Sequence, residues 1–408
     1  MKPLKLLLVT QANPYFTSSA SGNRMRSILD GLAKQGVEIH IIITQGFRSF
    51  DEFKRYRWKG NISEITYRYT IFLLHSSLWM RRISGYILAP LLKNTNAKLL
   101  RKKIIDFDPQ IIWVHQNLDV LDVYLLAKAH LNQQNYKLMI ELNEFHDIGL
   151  VHATNSLQLT LSKRYSKTLL TKILPKADFL VIMTRHLLEY YRQYTDANRA
   201  LFLHMPMTVD MERFQLKKDK KDRYIAYCGS SSFVKDGVDI LIRSFAAISG
   251  KYPEIKLKIA AFMEADGSKM LALINELKMQ GKIEYVGELK RDEIPDFIIN
   301  AELLLLPRPD SKQAQGGFPT KLGEYLATGN PVCATTVGEI PDYLKDGESV
   351  YFAEPGSVDS FADSMDRALS DPKKAAQIGK NGKHIADCNF NMDIQTERLF
   401  SFLNEHAL

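Results

Sequence analysis

Cysteine is scarce in this chain. Cys228, Cys333 and Cys388 are the only three among 408 residues, too scattered for a disulfide framework, a Cys-x-x-Cys pair or a thiolate metal site, as suits a reducing compartment. Long apolar runs are missing as well. Nothing approaches the roughly 20 apolar residues of a membrane-spanning helix, and the first apolar run, Leu6 to Val9, is too short for the core of a secretory signal. The expectation is a cytoplasmic protein, at most peripheral at the inner face of a plasma membrane. A complete Gly-x-Gly-x-x-Gly fingerprint is also lacking, because only Gly22 stands in the first strand-to-helix loop. No His-rich cluster occurs either, and no metal is expected.

What is present is the composition of a folded protein, 45% apolar and 25% charged. The length suits two domains better than one core. The formal charge of +8 asks for an anionic partner without naming it. Short apolar runs alternate with helical patterns from Lys5 to the end, the mark of α/β units with parallel sheets. The runs Lys5 to Thr10, Val37 to Thr44, Ile111 to His115, Lys137 to Leu142 and Ala177 to Thr184 read as buried strands. Tyr224 to Cys228, Ile255 to Ala261, Ile283 to Val286, Glu302 to Leu306 and Val332 to Thr335 continue the series after a charged linker, Lys217 to Arg223.

One stretch carries chemistry. After Glu302 to Leu306 and Pro307-Arg308-Pro309 comes a Gly-rich loop, Asp310 to Gly317, and then Pro319 opens a helix that reaches Ala327. Proline suits the first helical position. The amides of Thr320, Lys321 and Leu322 then point out of the helix start, and with the helix dipole they make an anion site. Leu322, Tyr325 and Leu326 form the apolar face, while Thr320 and Glu324 share another with Lys321 beside them. A carboxylate one turn inside such a helix is either a solvated surface group or an acceptor for ribose hydroxyls. The second alternative predicts a nucleotide.

Gly316-Gly-Phe-Pro-Thr-Lys-Leu-Gly-Glu324, continued by Tyr-Leu-Ala-Thr-Gly-Asn-Pro-Val, resembles the nucleotide-sugar motif of glycosyltransferase family 4. That resemblance implies a retaining enzyme of the GT-B fold, two Rossmann-like doubly wound domains facing a cleft, with the C-terminal helix returning to the first domain. The domains would be residues 1–208 with 390–408 on the acceptor side, and residues 209–389 for the nucleotide sugar. Glu324 matches the ribose-binding glutamate of the motif. The family's other glutamate, which touches the donor sugar, falls at position 316, which is glycine here, and Gln315 or Arg308 are candidates to replace it. Gly317, Phe318, Thr320, Lys321 and Leu322 complete the donor-nucleotide set, and Gly287 resembles the glycine beside the base.

The resemblance extends to other loops. Gly229-Ser-Ser-Ser-Phe-Val-Lys235 looks like the family's diphosphate clamp, with Lys235 matching its lysine and Ser230 at the place of its arginine. A lysine there neutralises the leaving nucleoside diphosphate, and Lys321 or Arg308 would have to supply the second cation. Pro206, Val209, Asp210 and Phe214 match the segment where such chains cross between domains. In the first domain, Gly22 matches a glycine that lets donor or acceptor approach. Asn143-Glu-Phe-His-Asp147 ends a strand where open α/β sheets bind ligands. There the family places a sugar-facing His or acid, and Glu144, His146 and Asp147 all qualify. His115 is a weaker candidate.

Residues 71–103 join Ile71 to Leu74, Leu78-Trp-Met80, Ile87-Leu88 and Leu91-Leu92 to Arg81, Arg82, Lys93, Lys98, Arg101, Lys102 and Lys103. Such a segment is either a helix pair with a solvated basic face or an interfacial anchor for an anionic membrane. The activity implied is transfer of a sugar from a UDP- or GDP-linked donor to a glycan or lipid-linked acceptor, as in bacterial surface polysaccharide or glycolipid synthesis. No metal or other cofactor is needed. A nucleotide-sugar epimerase of the same fold and a binding subunit without turnover are the alternatives. Nucleic acid is not expected as a partner, for want of a stacking platform.

Overall fold

The computed structural model describes residues 3–16, 19–47, 49–70, 89–131, 135–151, 155–216, 218–219, 223–264 and 266–407. The chain divides into two compact units, one of residues 1–205 with 396–408 and the other of residues 206–395. Each is an α/β domain around its own sheet, as the strand–helix alternation requires.

The first unit holds β1 (Lys5–Thr10), β2 (Glu38–Ile43), β3 (Lys59–Ile62), β4 (Ile65–Tyr69), β5 (Ile111–Val114), β6 (Lys137–Leu142), β7 (Phe179–Ile182) and β8 (Leu201–His204). They form an 8-stranded sheet in the order β3-β4-β2-β1-β5-β6-β7-β8. Only the β3–β4 edge hairpin is antiparallel. Its residues Lys59-Gly-Asn-Ile62 and Ile65-Thr-Tyr-Arg-Tyr69 alternate polar and apolar, so the hairpin does not read as the continuous apolar run of a buried parallel strand. The central β1 is buried on both faces. Leu7 and Val9 belong to one apolar cluster with Ile112, Val114 and Ile140. Leu6 and Leu8 belong to another with Ile28, Ile41 and Trp113.

The first helix runs Ala20–Lys34 because Ser19 caps it, its Oγ accepting from the Gly22 amide. One helix of this unit is α-helical only over Ser156–Thr168. A π turn (Leu169–Ile173) and a 3-10 turn (Leu174–Lys176) finish it, since Pro175 has no amide to continue the ladder. Within residues 71–103, the described helix Ala89–Phe107 seats Ala97, Leu100, Ile104 and Phe107 in the core, while Lys98, Lys102 and Ile105 are exposed. Arg81, Arg82 and the apolar groups up to Leu88 lie outside the described residues. No helix of the described residues is long and apolar enough to cross a membrane.

The second unit holds β9 (Tyr224–Ser230), β10 (Lys256–Phe262), β11 (Ile283–Gly287), β12 (Leu303–Leu306), β13 (Val332–Thr335) and β14 (Tyr351–Ala353). They make a 6-stranded sheet, β11-β10-β9-β12-β13-β14, parallel throughout. From β9 the chain proceeds to β10 and β11 on one side, then crosses back to β12, β13 and β14 on the other. The order therefore reverses between β9 and β12, and the crevice beyond their carboxyl ends is where such sheets bind ligands.

The last helix, Met392–Ala407, carries the chain back into the first unit. There Leu399 and Leu403 are buried with Leu6, Leu29 and Leu32, and the Phe402 ring meets Phe179 on β7 edge-on at 5.5 Å. Gly31 lies directly under Thr396, leaving no room for a β-carbon.

Candidate functional site

The loops at the β9/β12 crossing point fold against one another. Gly237 adopts φ +69, and a β-carbon there would run into the Pro307 carbonyl oxygen, so the loop after β9 touches the backbone of the loop after β12. Ser232 caps the short helix Phe233–Asp236 by accepting from the Lys235 amide at 3.2 Å. Lys235 itself is exposed.

The helix Thr320–Ala327 starts one residue later than the sequence suggests. Pro319 is its cap, with φ -71 and ψ 112, and not its first helical residue. Its carbonyl accepts from the Leu322 amide at 3.0 Å, which removes Leu322 from the expected set of free donors. The amides of Thr320 and Lys321 find no acceptor among the described residues. Buried Leu322, Tyr325 and Leu326 anchor the helix, and the Tyr325 hydroxyl accepts from the Cys228 amide at 2.8 Å, tying it to β9. Burial pushes the Cys228 thiol up to about 12, so this cysteine is no nucleophile at neutral pH.

Lys321 crosses to the end of β9. Its ammonium lies 2.6 Å from Asp236 Oδ1, donates to the Tyr227 hydroxyl at 3.2 Å, and stands 4.8 Å from the centre of that ring. Ser230 Oγ donates to Asp236 Oδ2 at 2.5 Å. Burial alone would raise the Asp236 carboxyl, but the adjacent Lys321, with the Ser230 hydroxyl and Lys235, holds it below the usual carboxylate value. Glu324, one turn further along, receives Arg213 Nη1 at 2.9 Å, and Arg213 Nη2 reaches the Arg291 carbonyl, also at 2.9 Å.

The remaining donor candidates fall around this centre in different ways. Arg308 is 8% exposed and donates through Nη2 to the Gln313 carbonyl at 3.2 Å, so its guanidinium is turned into its own loop. Part of that loop is a short helix, Lys312–Gly316, which the sequence did not announce. Phe318 is buried against the rings of Tyr343 and Phe390, a packing role for its side chain. Gly317 follows the short helix as its cap, and Gly287 ends β11 with φ +87 and nothing near its missing β-carbon. Gly338 packs onto the Ala314 carbonyl, and Glu339, which follows it, is buried.

In the first unit the corresponding reversal lies between β1 and β5. Gln11 and Asn117, just beyond these strands, are bonded at 2.9 Å. Gly22 is buried in the first helical turn with its amide on Ser19, where the sequence suggested an open loop. The segment Asn143 to Asp147 after β6 packs on tyrosines. His146 Nδ1 is 3.1 Å from the Tyr190 hydroxyl and its ring stacks on Tyr190 at 5.6 Å, while the Glu144 carbonyl accepts from Tyr191 at 2.8 Å. The Glu144 side chain is exposed, and Asn143 Oδ1 is buried without a partner among the described residues. His115 is held neutral by burial, despite the nearby Glu141. Below this edge Arg24 and Glu141, both almost fully buried, form an ion pair, and Arg24 also reaches the Met205 carbonyl at 2.9 Å.

Arg213, Asp236 and Tyr227 are the groups around Lys321 and Glu324 that sequence reasoning missed. Asp236 adjoins Lys235 and was within reach of it. The others join the site only through contacts distant in sequence.

With the geometry established, comparison with known proteins is informative. Residues 209–385 match the family of glycosyl transferases group 1. The matched segment contains the residues of the β9/β12 site. Beyond it, the chain is 24% identical over 255 residues to the GDP-mannose-dependent alpha-(1-6)-phosphatidylinositol monomannoside mannosyltransferase of Mycolicibacterium smegmatis, a match spanning 59% of this chain and 65% of that relative. The sucrose-phosphate synthase of Thermosynechococcus elongatus superposes with a TM-score of 0.76 at 15% identity, covering 98% of both chains. The Anabaena protein HepE, solved in complex with UDP-glucose, gives a TM-score of 0.68 at 14% identity over 98% of this chain and 100% of its own. The fold is therefore GT-B, two Rossmann-like α/β domains.

Proposed function

We propose that this chain is a retaining glycosyltransferase of family 4 type, moving a sugar from a nucleoside diphosphate donor to an acceptor hydroxyl. The observation that carries the proposal is Lys321 held against Asp236 at the end of β9, next in sequence to the exposed Lys235, with the amides of Thr320 and Lys321 lacking an acceptor among the described residues at the helix start after β12. That is a receptor for a doubly negative group at the ligand edge of a doubly wound sheet. Glu324, held in place by Arg213, then stands where ribose hydroxyls can donate to it. The work of the site is to neutralise charge as the bond between anomeric carbon and phosphate oxygen breaks. Lysines perform that work here, without a metal. The departing phosphate oxygen takes the proton of the attacking hydroxyl on the same face of the sugar, so the anomeric configuration is kept. The Asn143 to Asp147 segment, with Glu144 and His146, is assigned to the sugar side.

The acceptor in this reading is a glycan or lipid-linked hydroxyl, which the relative named for a phosphatidylinositol monomannoside supports; that it is met at an anionic membrane surface from the cytoplasmic side is part of the same proposal. A screen of UDP- and GDP-sugars for release of free nucleoside diphosphate tests the activity, and the anomeric configuration of the product tests retention. Glu324→Ala is expected to weaken donor binding by about 1.5–3 kcal/mol, the usual worth of hydrogen bonds to a charged group. An unchanged dissociation constant would remove Glu324 from the ribose role.

A further inference from the structure

Resting on the nucleotide reading above, we propose that Lys321 is the second diphosphate-binding cation of this chain, moved from the loop after β9 onto the helix that faces it. The loop itself offers only Lys235, because position 230 is a serine whose side chain is spent internally. Ser230 is 2% exposed and its hydroxyl is bonded to Asp236 at 2.5 Å. The other oxygen of Asp236 receives Lys321 at 2.6 Å. A β-carbon on Gly229 would strike the Lys321 ammonium, so that charge lies directly against the backbone of the strand end. An arginine side chain starting from residue 230 would deliver its charge to the same neighbourhood. The single carboxylate of Asp236 would then face two cations in one place. Serine at 230 and lysine at 321 thus form one arrangement: the small hydroxyl fixes Asp236, and Asp236 with Tyr227 fixes the lysine. Arg308 does not compete for the part, since its guanidinium is engaged with the Gln313 carbonyl.

The alternative is that Lys321 and Asp236 merely fasten the helix to the sheet. The two roles separate in ligand selectivity. Binding of UDP, GDP, UMP and GMP is measured by calorimetry for wild type, Lys321→Met, Lys321→Arg and the double variant Ser230→Arg/Lys321→Met, with melting temperatures recorded alongside. Lys321→Met is expected to lose about tenfold or more in affinity for the diphosphate that wild type prefers, the scale of one charge-assisted contact, and much less for the matching monophosphate. Lys321→Arg is expected to keep most of the affinity, and Ser230→Arg is expected to restore it in the Lys321→Met background. Equal diphosphate affinity in wild type and Lys321→Met, with only the melting temperature lowered, overturns the proposal in favour of a fastening role. If Lys321→Met does not fold, the arginine and double variants decide: a folded double variant that binds no diphosphate counts against it. A wild-type protein that binds neither UDP nor GDP overturns the nucleotide reading itself, and this inference with it.

Discussion

Asp236 carries its charge in a place where burial opposes ionisation, and the groups that overcome that opposition can be named. Burial pushes its carboxyl upward, while Lys321, Ser230 and Lys235 pull it below its ordinary 3.8. A carboxyl with a depressed folded-state value contributes its stability in full above the unfolded value and loses it as the pH falls through the folded one. Asp236→Asn should therefore lower the melting temperature at pH 7, and its deficit against wild type should shrink once the pH drops below about 4. A deficit of constant size down to pH 2 would show that the ion pair contributes nothing. Lys235 and Glu324 could be named as candidates from the sequence because each sits inside a short contiguous motif. Arg213 could not, because its partner lies 111 residues away, and neither could the pairing of Asp236 with Lys321, 85 residues apart. Only folding brings those charges together, and no local spacing records them. The buried pair Arg24 and Glu141, 117 residues apart, was hidden for the same reason.

Among the elements, buried parallel strands were the easiest to read, since a strand covered on both faces must be apolar throughout. The β3–β4 hairpin at the sheet edge, half solvated and mixed in polarity, lacks that signal, as do the short helices Phe233–Asp236 and Lys312–Gly316. The placement of the helix Thr320–Ala327 depends on another element that the sequence describes only as a helix. Pro372–Asn389 packs on it at Gly382, which faces Leu326, and on the loop beyond its end at Gly379. A β-carbon at Gly379 would enter the backbone of Gly329, Asn330 and Pro331, just past the end of the helix Thr320–Ala327. Backbone cannot yield as a side-chain tip does. Gly379→Ala should thus destabilise the protein by about 1–3 kcal/mol, the usual cost of overpacking, although alanine is the better helix former by about 1 kcal/mol. Urea unfolding measures the difference, and a stabilised variant would mean that the two helices can separate without loss.

For the whole molecule, the alternation of strand and helix was enough to call two α/β domains, and the motif around Glu324 was enough to call the fold of the pair. What composition could not distribute is the charge. The net +8 is a sum, and its effect depends on which cations have acidic partners. Lys93 is neutralised by Asp122 at 2.8 Å, and Arg164 shares the same carboxylate at 2.6 Å. Lys98 and Lys102, by contrast, are exposed on the helix Ala89–Phe107, and Ile105, on the same helix, is 65% exposed. Exposed lysines and an apolar side chain suit an interface between water and anionic headgroups, where each basic residue contributes about 1 kcal/mol. If the acceptor is lipid-linked, the protein should bind vesicles containing phosphatidylglycerol more tightly than vesicles of phosphatidylcholine alone. That preference should fade as salt rises to 1 M, where the screening length falls to about 3 Å. Reversing Arg81, Arg82, Lys102 and Lys103 to glutamate should abolish it while leaving the nucleotide affinity of the other unit intact, because none of the four belongs to residues 206–395. Sedimentation with vesicles reads the first effect and nucleotide titration the second. Wild-type protein that stays in the supernatant at low salt would assign the basic helix to solvent, and the acceptor would then have to reach the enzyme from solution.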